Sequence, residues 1–156
     1  MTTKTTAKKT TATSSTKSGF SADERAAMKE RAKELRAEAK GAKDREKGLA
    51  DLESKIADMP DGDQTLAKAI HRIVTETAPD LMPKTWYGMP AYADADGKVV
   101  CFFKAASKFD VRYGELGFNE EATLDEGTMW PTVFAITAIN AANEKLIAKL
   151  VKKAVG

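Results

Sequence analysis

Cysteine and histidine are nearly missing from the chain: among 156 residues, Cys101 and His71 each stand alone. A lone cysteine excludes an internal disulfide and a thiolate metal cage built from one chain, and it suits a reducing interior. A lone histidine leaves no imidazole pair for zinc. The i±3 and i±4 neighbours of His71 are Ala67, Lys68, Val74 and Thr75, none of them a ligand, so it reads as a histidine at the edge of an apolar helix face. Long apolar runs are missing too. The longest, Val99 to Phe103, is far below the roughly 18 residues that a membrane helix needs, and the N-terminal lysines have no apolar stretch behind them. The expected compartment is the cytoplasm, with no membrane partner. Past the first helix cap the only serines are Ser54 and Ser107. Neither sits in a nucleophile elbow, and no glycine-rich loop is spaced as a phosphate cradle. The chain is therefore expected not to be an enzyme.

What is present is charge, unevenly spread. The 25 basic and 23 acidic side chains nearly balance, yet residues 1–47 hold 13 of the bases and 7 of the acids. That segment carries +6 and the remainder −4. Residues 1–20, almost all Thr, Ser, Lys and Ala, cannot bury enough apolar surface to offset chain entropy and are expected to be a disordered tail. Its lysines offer nucleic acid only a weak, salt-sensitive attraction. Residues 21–47 form a charged helical arm. Ser21 and Glu24 make a capping box, and strong helix formers continue to about Lys40. With Met28 and Leu35 as its only large apolar side chains, this helix lacks a firm docking stripe and is expected to project into solvent or lie loosely against the domain, with Gly41 and Gly48 marking a linker.

The folded unit is expected over residues 48–156. Leu49, Leu52, Ile56 and Met59 recur at helical spacing up to Pro60; Asp63 is placed to cap a second helix with Leu66, Ile70, Ile73 and Val74 on one face. The period then falls to two, and strands are expected over 85–87, 91–93, 99–104, 109–113 and 128–136, with a turn at Asp94 to Gly97. A last helix over 141–154 carries Leu146, Ile147, Leu150 and Val151. This order gives a compact α+β class, a mainly antiparallel sheet flanked by helices.

Two sets of residues are candidates for function. In "WYGMPAY", Gly88 and Pro90 do not suit a regular central strand, so a bulge or kink is expected there, with Trp86, Tyr87 and Tyr92 about it. These aromatics are either core or the wall of a ligand or partner surface made of Trp86, Tyr87, Gly88, Met89, Pro90, Tyr92 and Lys108. The second set is a run of carboxylates, Glu115, Glu120, Glu121, Asp125 and Glu126. These are either solvated loop residues or a shallow site holding a hard divalent cation such as Fe(II) weakly.

The run "ETAPDLMPKTWYGMPAYADADGKVVCFFKAASKFDVRY", with its aromatic-Gly-Met-Pro element, resembles the core of the YdhG-like domain family. Farther on, "EGTMWP" is similar to that family's later glycine-led strand. The resemblance covers about residues 49–154. It implies a fold of frataxin-like character. The family includes proteins described as intracellular iron chaperones, so it also implies iron handling and partners in iron-sulfur assembly. Where members often carry histidine after the strand's lysine, this chain has Asp110.

Overall fold

The computed structural model describes residues 19–39 and 45–156. Most of the expected tail, and the Gly41 junction, lie outside the described residues. The elements are α1 (Ala22–Ala39), α2 (Arg45–Ala57), α3 (Asp61–Thr77), β1 (Met82–Trp86), β2 (Met89–Ala93), β3 (Val99–Lys104), β4 (Gly114–Phe118), β5 (Val133–Ile136) and α4 (Ala141–Val155). The five strands form one antiparallel meander in the order β1-β2-β3-β4-β5. This is the α+β class expected from the sequence. No described helix is long and apolar enough to cross a membrane.

The core lies between one sheet face and three helices. Cys101 pairs with Phe118 and Phe103 with Leu116 across β3 and β4, and residues two apart on a strand share a face. Tyr92, beside Cys101 on β2, joins them. Against this face pack Leu52 and Ile56 of α2, Ile70 and Val74 of α3, and Ile147 and Val151 of α4, all buried. The apolar stripes expected on these helices dock except at Leu146 of α4, which is 50% exposed, because burying them removes apolar area from water at about 25 cal/mol per Å². The opposite face carries the row Ala91, Phe102, Gly117, Val133.

Several local expectations are corrected. Helix α2 begins at Arg45, where the sequence reading had a linker arm up to residue 47. Arg45 donates to the Pro79 carbonyl at 2.7 Å, and a Cβ on Gly48 would lie 2.3 Å from the Pro83 carbonyl oxygen. Gly48 is thus the place where α2 meets β1 backbone to backbone, a use of glycine that local spacing does not reveal. Asp63 does not cap α3: Pro60 holds that position without a side-chain bond. The Asp63 carboxylate instead accepts from both the amide and the hydroxyl of Ser107. Residues 109–113 are not a strand; a 3-10 turn (Ser107–Phe109) is followed by Asp110 at positive φ, and the strand starts at Gly114. The last strand occupies only Val133–Ile136 of the expected 128–136.

The kink expected at "YGMP" is a two-residue hairpin turn. Trp86 pairs with Met89, and both residues between them have positive φ, 52° at Tyr87 and 73° at Gly88, the backbone signature of a type I′ turn. Pro90 is then accommodated inside β2. The pair that closes such a turn exchanges both hydrogen bonds, so the next residue's nitrogen faces away from β1, and pairing with β3 begins only at Ala91. The bulge lies farther on, where Tyr92 pairs with Cys101 but Ala93 with Val99, leaving Val100 as the extra residue.

Candidate functional site at the hairpin tip

Helix α1 does not project into solvent. Its capping box forms, with the Glu24 amide donating to Ser21 Oγ at 3.1 Å, and the helix then lies against the β1–β2 tip and the 3-10 turn. The docking stripe is Ala27, Glu30, Arg31 and Glu34, at i, i+3, i+4 and i+7. Ala27 is buried, whereas Met28 and Leu35, the residues a hydrophobic reading selects, are 39% and 49% exposed.

Glu34 makes the central contact. Its Oε2 accepts from the Tyr87 amide at 3.0 Å and its Oε1 from the Gly88 amide at 2.9 Å. In a type I′ turn the amides of the two central residues point outward with no acceptor in the turn itself. One carboxylate therefore satisfies both, as charge-assisted bonds. Arg31 pairs with Glu34 at 3.5 Å and places its guanidinium carbon 5.9 Å from the Tyr87 ring centroid. Glu30 covers Gly88: a Cβ there would lie 1.7 Å from Glu30 Oε2 and 2.8 Å from Lys108 Nζ. Lys55 of α2 lies 3.2 Å from Glu30 Oε2 and Lys108 lies 3.5 Å from Glu30 Oε1. Oε2 is cut off from water and has no directed hydrogen bond, so its pairing with Lys55 is electrostatic only.

An aromatic ledge adjoins the tip. Trp86 meets Tyr87 edge-on at 4.9 Å and Phe102 at 5.2 Å between centroids, all three being partly exposed. Tyr87 is the strained member, since a non-glycine residue at φ 52° is uncommon. Such outliers concentrate where function demands them.

The residues singled out from the sequence are thus divided. Trp86, Tyr87, Gly88 and Lys108 come together at the tip. Met89, Pro90 and Tyr92 belong to the interior, not to a surface. Tyr92, 2% exposed, lies 2.9 Å from Nδ1 of His71 through its hydroxyl. Burial depresses the His71 pKa, against a smaller opposing effect of Glu53, and pushes the Tyr92 pKa well above 10.0. Burial thus favours the neutral form of both groups, and the imidazole tautomer sets which of them donates in the pair. Burial also pushes the Cys101 thiol up to about 12.

The five carboxylates are not gathered. Glu115 stands in β4 opposite Lys104. Glu126 accepts from Lys153 at 2.6 Å, which lowers its pKa, and nearby Thr123 donates to the Lys153 carbonyl at 2.8 Å, so this loop clasps the end of α4. Glu120 and Asp125 are exposed and Glu121 is half-buried. Among the described residues no group of three or more His, Cys, Asp or Glu side chains is arranged to hold a metal ion.

The chain matches no family model, no curated protein and no solved structure. Sequence reasoning missed α1 as part of the site because its docking stripe is polar. The available signal was the i, i+4 spacing of Glu30 and Glu34, two carboxylates on the helix face that also carries Ala27 and Arg31.

Proposed function

We propose that the chain is a non-enzymatic binding module, YdhG-like in its hairpin motif, which recognises a carboxylate at the tip of its β1–β2 hairpin. One observation carries the reading: the adjacent amides of Tyr87 and Gly88 hold a single carboxylate in a two-point grip. Lys108, whose Nζ lies 2.8 Å from where a Cβ on Gly88 would stand, favours an anion at the tip, Lys55 and Lys108 both pair with the neighbouring Glu30, and the Trp86, Tyr87 and Phe102 ledge supplies apolar contact for the ligand's carbon skeleton. The strain at Tyr87 fits a residue kept for binding.

The absence of catalysis in this reading is supported by how the reactive groups are used. Ser107 is bonded to Asp63 and His71 to Tyr92, so hydroxyl and imidazole serve separate structural pairs. Cys101 is buried and held protonated, hence a poor nucleophile.

The test is titration of glutarate into the full chain carrying Glu34→Ala, followed through the amide resonances of Tyr87 and Gly88, with glutaramide as the neutral control. Saturable shifts confined to the tip with glutarate alone are expected. Equal response to both compounds, or none, would defeat the carboxylate reading.

A further inference from the structure

From the same site, and resting on the carboxylate reading, we infer that the physiological ligand is an acidic helix of a partner protein, presenting two carboxylates one turn apart, and that α1 occupies its place in cis. The geometry points to a helix because the tip has two anion subsites. The Tyr87 and Gly88 amides form one, filled by Glu34. Lys55 and Lys108 flank the other, filled by Glu30. Glu30 and Glu34 are four residues apart on one helix, the separation at which side chains stand one above the other. A small monocarboxylate fills only one subsite; a helix bearing Glu at i and i+4 fills both.

The manner in which α1 is held marks it as a replaceable occupant. Apart from the buried Ala27 it contributes a polar stripe and leaves Met28 and Leu35 39% and 49% exposed, so no large apolar side chain of the helix holds it in place. Its fit is also incomplete. Glu30 Oε2 is buried without a directed hydrogen bond, a deficit that a better-placed carboxylate removes. Being tethered, α1 competes at high effective concentration, and a partner helix gains access when that contact is weakened.

The experiment uses the full chain carrying Glu30→Gln and Glu34→Gln, titrated with a peptide of residues 21–39, with the same peptide bearing glutamine at both positions, and with glutarate. Tyr87, Gly88 and Lys108 amide shifts report the tip, while Phe103 and Leu116 report the fold. If the double variant loses its core resonances, the single variant Glu34→Gln replaces it. The acidic peptide is expected to shift the tip residues and to bind the variant at least about tenfold more tightly than the unaltered chain, whose own helix competes. The glutamine peptide is expected to leave them unmoved. If glutarate binds and the acidic peptide does not, the helix inference is overturned while the carboxylate site stands. If neither binds, the site itself fails. Equal binding of both peptides would overturn the inference by showing that the carboxylates are not what is read.

Discussion

The sheet's inner face and the tip of the β1–β2 hairpin are both covered by helices, but by opposite kinds of helix face. Over the inner face α2, α3 and α4 bury leucine, isoleucine and valine. Over the tip α1 turns Glu30, Arg31 and Glu34 inward and leaves Met28 and Leu35 outside. The first contact is non-directional and is not screened by added salt. The second depends on two hydrogen bonds and a few ion pairs, and it weakens as ionic strength rises. A domain whose stability resides in one contact can release the other without unfolding.

The largest expected effect falls on the apolar side. Phe103 is fully buried at the centre of the core, and Phe103→Ala should cost about 3–5 kcal/mol in denaturant unfolding. A loss similar to that of the tip variants would erase the contrast. Next comes Gly48→Ala. The new methyl meets the rigid Pro83 carbonyl, so α2 must move, and a loss of about 1–3 kcal/mol is expected despite alanine's better helix propensity.

Gly88→Ala sharpens the comparison from the other side. The added Cβ displaces the flexible end of Glu30 and forces alanine to positive φ, for about 1 kcal/mol of backbone strain. Its proteolytic signature should be local: cleavage within α1 should speed up while the core stays resistant. Uniformly faster cleavage would mean that the tip and the core are one cooperative unit.

The smallest expected effect concerns pH. Burial holds the His71 pKa below its ordinary value of 6.5, so the folded state binds fewer protons than the unfolded one. The associated stability is present above the unfolded value and is lost as pH falls through the folded one. Between about pH 7 and about pH 5 the unaltered chain should lose more melting temperature than His71→Gln. Parallel pH profiles would refute a neutral His71 paired with Tyr92.

Much of this was legible in the sequence. The stripes of Leu52 and Ile56, Ile70 and Val74, and Ile147 and Val151 set three helices on a sheet, since apolar periodicity is the signal that burial imposes. Two things were not legible. Gly88 and Pro90 point to a bulge or kink at "YGMP" but not to a hairpin turn, because only the register shows that the Pro90 nitrogen faces away from β1. Hydrophobic periodicity leaves α1 projecting or loosely laid, because it says nothing about a helix that docks through glutamate onto backbone amides. Lys108 was expected at this surface, but what carries it there is the Asp63 carboxylate, whose bonds to Ser107 fix its turn. That long-range contact has no local sequence mark.

The central claim is that a glutamate side chain holds the hairpin's outward amides, and hydrogen exchange at Tyr87 and Gly88 tests it most directly. Protection of both amides in the unaltered chain should disappear in Glu34→Ala and fade with added salt, while the amides of Phe103 and Leu116 keep theirs. Unchanged protection at Tyr87 and Gly88 in Glu34→Ala would contradict it.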